Sequence, residues 1–133
     1  MTPRYLLDTN AVTALLSGID NPVSQRLRQH TPAEVAISSI VSHELFYGAF
    51  KSQRTEHNVA RVDGLRFEVL PFDHEDARCA GQIRAQLAKA GTPTGPYDTL
   101  IAGQALARGM TLVTHNLAEF RRIGGLLVED WQR

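Results

Sequence analysis

The chain has 133 residues, a formal net charge of zero and a hydrophobic content of 43%, the profile of one globular domain able to bury its own core. Balanced charge excludes a broad electrostatic grip on nucleic acid, and the lone cysteine, Cys79, excludes internal disulfides and CxxC metal sites. Asp8 and Asn10 interrupt the first apolar stretch and no apolar run is long enough for a bilayer, so neither a signal peptide nor a membrane span is expected, and a cytoplasmic location is. Tyr5–Asp8 reads as a short buried strand, and Asn10–Ser17 as a helix with Ala11, Val12, Ala14, Leu15 and Leu16 at helical spacing, stopped by Gly18. Pro22 fits the first turn of a second helix reaching about His30. Val35–Ser38 is a second strand; Ser38 or Ser39 then caps a helix running to about Phe50. A polar helix from about Thr55 to Val62 leads into strand Phe67–Phe72. Asp73 caps a long helix that ends near Ala90, before Gly91 and Pro93. Pro96 opens the next helix, which ends near Arg108. Thr111–Thr114 and Leu126–Glu129 complete five strands.

This alternation implies a mostly parallel sheet with helices on both faces. In such sheets chemistry gathers beyond the carboxyl ends of the strands, near a reversal of strand order. Four polar residues stand out there: Asp8, Glu44, Asp98 and Asn116. Asp8 follows the first strand and Asn116 the fourth. Glu44 has Ile40 and Val41 one turn before it and Tyr47 and Gly48 one turn after, which aims it toward packed protein. Asp98 takes the third position of its helix if Gly95 is the cap, and lines up with Ile101 and Ala102 on the inward stripe.

Each has a plainer reading. Asp8 can cap the first helix, although Thr9 or Asn10 can do so instead. Glu44 can pair with a core arginine or tyrosine. Asp98 is favoured by the positive end of its helix dipole. Asn116 can be a turn residue or a helix cap, with Glu119 in reciprocal contact. Taken together, the carboxylates are costly. Two like charges about 4 Å apart repel by about 4 kcal/mol at an effective dielectric near 20, and a divalent cation removes that repulsion. Oxygen donors select magnesium or manganese over zinc or copper.

Rival motifs fail. His43-Glu44-Leu45-Phe46-Tyr47 begins like a zinc-protease helix but has Tyr47 where the second histidine belongs. His115 is a lone loop histidine beside Asn116. Cys79 sits among alanines as packing, and Trp131 pins the last segment to the core. There is no phosphate-binding glycine loop and no serine elbow. Of fourteen Lys and Arg residues only Lys51 and Lys89 are lysine. Arginine suits phosphate and base stacking, but a GC-rich genome produces the same bias, so composition permits an RNA partner without demanding one. Arg84 and the Arg121–Arg122 pair are candidate backbone contacts.

Four blocks in order, Leu7-Asp8-Thr9-Asn10, Ser38 to Leu45, Gly95-Pro96-Tyr97-Asp98 and Val113 to Phe120, resemble the PIN-domain nucleases. Within them the chain is similar to the VapC toxins of type II toxin–antitoxin pairs. The segment Gly91-Thr-Pro-Thr-Gly-Pro-Tyr-Asp98, with Ile101-Ala102-Gly103, is similar to their enteric branch. The likeness runs essentially from end to end, closing with Val128-Glu129-Asp130-Trp131. It implies a single PIN-like three-layer α/β/α sandwich, a magnesium-dependent endoribonuclease in which manganese can substitute, and metal ligation by Asp8 and Asp98 with Glu44 directly or through water. Asn116 stands where many relatives have Asp, making the site one charge less negative. The resemblance further implies a homodimer, silencing by a VapB-type antitoxin, and an RNA substrate such as initiator tRNA cut in its anticodon loop. Alternatives are a stand-alone RNA-processing nuclease, a module that binds RNA or protein without cutting, and a phosphate-accepting aspartate at Asp8. The last lacks the late lysine it needs, because Lys89 falls in a helix.

Overall fold

The computed structural model describes residues 3–132. Five strands, β1 (Tyr5–Leu7), β2 (Val35–Ser38), β3 (Glu68–Leu70), β4 (Thr111–Val113) and β5 (Leu127–Glu129), form one sheet in the order β3-β2-β1-β4-β5. Every pairing among them is parallel, with Leu7 opposite Ile37 on one side and Val113 on the other. The expected mostly parallel sheet is therefore wholly parallel across the described residues. All residues of β1 and β2 are buried, as required of strands covered on both faces. The chain lays β1, β2 and β3 outward in one direction, then returns to place β4 and β5 on the other flank of β1. The reversal falls between β1 and β4, which opens a crevice at their carboxyl ends.

Among the described residues seven helices link the strands: α1 (Thr9–Leu16), α2 (Pro22–Leu27), α3 (Ser39–Lys51), α4 (Thr55–Asp63), α5 (His74–Lys89), α6 (Pro96–Ala107) and α7 (Leu117–Phe120). The short α7 and a 3-10 turn at Pro32–Glu34 were not read from periodicity, because neither is long enough to show one. Strand three is three residues rather than six, and α2 stops at Leu27 with turns continuing to His30. No helix among the described residues is long and apolar enough to cross a membrane.

Two features hold α6, the helix that carries Asp98. Gly103 lets α5 and α6 touch backbone to backbone: a Cβ there would lie 2.6 Å from Ala80 Cα. Asp76, fully buried on α5, accepts from Arg108 Nε at 3.2 Å and from its terminal nitrogen at 2.9 Å. It also accepts from the buried amide of Gln104, which reaches the Leu70 and Pro71 carbonyls as well. Paired in this way, a buried carboxylate is tolerated where an isolated one is not. At the other end of the sheet Trp131 is buried as expected. It stacks on His30 at 5.2 Å between ring centroids and leans on Tyr5.

Candidate active site

Asp8 leaves β1 and enters α1. It is the helix cap, its Oδ1 accepting from the Ala11 N–H at 2.8 Å; neither Thr9 nor Asn10 takes that role. The alternative that left Asp8 free of capping is thus overturned, because Asp8 alone has the extended backbone that turns its carboxylate onto the first helical turn. Capping does not use up the group. The Thr114 hydroxyl, at the end of β4, also bonds the carboxylate. Asp8 is only 6% exposed. Burial raises its pKa above the ordinary 3.8, Ala11 and Thr114 oppose the rise, and the charges of Glu44 and Asp130 add to it.

Asp98 sits at the third position of α6 behind the Gly95 cap, as its sequence context indicates. Its carboxyl is pushed up to about 6, first by burial and then by the charges of Glu119, Asp8 and Glu44 in that order. Four carboxylates from α1, α3, α6 and α7 thus share one field at the sheet's switch point. They do so without closing on one another: among the described residues no three His, Cys, Asp or Glu side chains form a preformed metal cage. Every donor in the group is oxygen, and after burial it is the negative charge of Glu119, Asp8 and Glu44 that raises Asp98. A hard divalent cation fits both facts.

Glu44 is placed differently from its expected packed setting. Tyr47 is 61% exposed, Gly48 is exposed and Ile40 only half-buried. Because α3 buries the stripe Val41, Leu45 and Ala49 instead, Glu44 stands at the edge of that stripe, half-buried and facing the crevice. The Thr9 hydroxyl donates to its Oε1 at 2.9 Å. A groove of about 210 Å³ runs beside it between α1, α3 and α4, lined by Thr9, Leu16, Asn58 and Arg61 among others.

Asn116 is exposed, and its side chain does not cap α7. Its backbone N–H donates to Thr114 Oγ1 at 3.1 Å and its amide donates to Glu119 Oε2. The structure therefore puts Asn116 at the rim, as a holder of Glu119. Glu119 and Asp130 are the acidic groups that sequence reading missed. The i+3 spacing from Asn116 pointed to Glu119, but only as a capping partner. Arg122 braces this corner, donating to the Glu119 and Thr92 carbonyls.

Residues 5–126 match the PIN domain. The tRNA(fMet)-specific endonuclease VapC of Salmonella typhimurium is 46% identical over 130 residues, spanning 96% of this chain and 98% of the relative. Among solved structures, DNA-bound VapBC from Salmonella typhimurium superposes with a TM-score of 0.92 at 45% identity, over 98% of this chain and 99% of that one. VapBC2 from Rickettsia felis, bound to a promoter DNA fragment, gives a TM-score of 0.88 at 35% identity, over 96% and 98%. The chain belongs to the PIN-domain family and, within it, to the VapC group.

Proposed function

We propose that the chain is the toxin of a type II toxin–antitoxin pair, an endoribonuclease that uses magnesium, with manganese as a substitute, to hydrolyse RNA phosphodiesters. The observation that carries this reading is the gathering of Asp8, Glu44, Asp98 and Glu119 at the carboxyl ends of β1 and β4, close enough for the charges of the others to act on Asp8 and Asp98. Asp8 and Asp98 would hold the cation, with Glu44 and Glu119 completing its surroundings. When bound, such a cation polarises a phosphate oxygen and makes a water a better nucleophile at neutral pH.

The chain's own groups do the rest. Asp8 is held by the Ala11 N–H and the Thr114 hydroxyl, so its position is set before substrate arrives. Thr9 fixes Glu44 through its hydroxyl, leaving Oε2 to orient a water and take its proton. Asn116 fixes Glu119. Exposed Arg84 and Arg121 are candidate grips on the RNA backbone.

Initiator tRNA is the first substrate to test, because the Salmonella and Shigella relatives are named tRNA(fMet)-specific endonucleases; the anticodon loop is the proposed place of the cut. A VapB-type antitoxin would lie across the crevice, with the groove beside Glu44 as part of its seat. The exposed Tyr47 and Phe50 rings of α3 suit a second subunit or that antitoxin. The test is cleavage of labelled tRNA by antitoxin-free protein with magnesium, with manganese, with chelator, and by Asp98→Asn. Cutting in the first two only is expected. Equal cutting in all four, or in none, overturns the proposal.

A further inference from the structure

We propose that His115 and Asp130 form a phosphate-holding pair that grips the RNA backbone beside the bond being cut. The inference rests on the ribonuclease reading above and deepens it. β4 and β5 end side by side, joined by the Thr114 N–H to the Glu129 carbonyl at 2.9 Å. The next residue on each strand is His115 and Asp130, and their side chains meet, Nδ1 to Oδ2, at 3.0 Å. Asp130 is held from a second direction, its Oδ1 accepting the Gln132 N–H at 2.8 Å. The carboxylate is 4% exposed and the imidazole 59% exposed. An acid turned inward thus holds a ring turned outward.

Such pairing fixes which ring nitrogen faces the protein. With Nδ1 committed to Asp130, Nε2 is the atom presented to a ligand. The pair also lies next to the catalytic cluster, since Asp130 is among the charges that act on Asp8, and Thr114, adjacent to His115, bonds Asp8 directly. The surroundings are acidic: Asp8, Glu44, Asp98, Glu119 and Asp130. An RNA strand entering them presents phosphates on both sides of the scissile one, and these meet repulsion wherever the cation does not reach. Arg122, the nearby guanidinium on the β4 side, is occupied by the Glu119 and Thr92 carbonyls. In its doubly protonated form the ring of His115 donates from both nitrogens at the strand end itself, Nδ1–H to Asp130 and Nε2–H to a non-bridging oxygen of the neighbouring phosphate. His115 acts as a positioning residue; no bond is made or broken at it.

The experiment is steady-state cleavage of a short RNA by the parent, His115→Ala, His115→Arg and Asp130→Asn, repeated on RNA carrying one neutral methylphosphonate beside the cut site. His115→Ala is expected to raise KM about tenfold, the loss of one charge-assisted hydrogen bond, with kcat within about twofold. His115→Arg should restore most of the KM. The methylphosphonate should cost the parent a similar factor and cost His115→Ala nothing further. An unchanged KM in His115→Ala, a loss confined to kcat, or a full methylphosphonate penalty in His115→Ala would overturn the inference. Asp130→Asn should raise KM likewise; if it unfolds, the His115 variants and the modified RNA decide. A parent that cuts no RNA with magnesium defeats the ribonuclease reading and this one together. A parent that cuts normally beside an unaffected His115→Ala defeats this one alone.

Discussion

Asp98→Asn should make the metal-free protein more stable while abolishing its activity. In the folded chain the Asp98 carboxyl sits at about 6 against an ordinary value of 3.8, so the folded state binds that proton more tightly than the unfolded one. The sign follows: the group's stabilising contribution is complete below pH 3.8, declines as pH rises, and is gone above about 6. At pH 7.5 the folded state therefore carries a penalty with a ceiling of about 3 kcal/mol. Asp98 is partly open to solvent, which screens the charges acting on it, and a penalty of about 1–2 kcal/mol remains. Asparagine removes it. For a chain of this length that corresponds to roughly 4–8 °C in melting temperature. The assay is thermal unfolding of parent and variant in chelator between pH 4.5 and 7.5. The gain should be full at pH 7.5, with roughly a half to two-thirds of it left at pH 4.5. Added magnesium should raise the parent's melting temperature far more than the variant's. A variant no more stable than its parent at pH 7.5 in chelator would refute the shared field of carboxylates on which the nuclease reading stands.

Three other outcomes follow from the same geometry. Gly103→Ala forces a methyl to 2.6 Å from the Ala80 backbone and should cost about 1–3 kcal/mol in urea unfolding; an unshifted midpoint would mean that α5 and α6 are not in contact there. Arg108→Ala strands the buried Asp76 and should cost about 3 kcal/mol, part of which Asp76→Asn in the same chain should return. If the double variant is no better than the single one, the stranded charge is not the cause. Thr9→Val keeps side-chain volume but releases Glu44; kcat on RNA should fall about tenfold with KM and melting temperature nearly unchanged, and an unaffected kcat would remove Thr9 from the machinery.

Local chemistry made most of the scaffold legible. Gly95-Pro96 announced the start of α6 and set Asp98 at its third position, where it is found. Asp73 capped α5 as expected, and Gly91 ended it, with φ near 73° where a side chain would be strained. What escaped was decided at long range. Asp76, Gln104 and Arg108 meet across about 30 residues of chain, and no spacing rule joins them. Glu44 was expected inside because Ile40, Val41, Tyr47 and Gly48 flank it at helical spacing, but periodicity cannot say which of two apolar stripes on α3 is covered. Asp130 lies just after a strand end, with nothing local to distinguish it from a turn residue. Its nearness to Asp8 depends on β5 pairing with β4 rather than with β3.

The strand order sets a timetable for danger. β1, synthesised first, has one neighbour formed early in β2, but its other neighbour, β4, begins only at Thr111. Until that segment has left the ribosome, the floor beneath Asp8 is missing, and neither Thr114 nor Glu119 has arrived. A growing chain therefore passes through translation, in the company of ribosomes and tRNA, with its cutting edge still unassembled. An antitoxin already present would meet the completed crevice as it first closes.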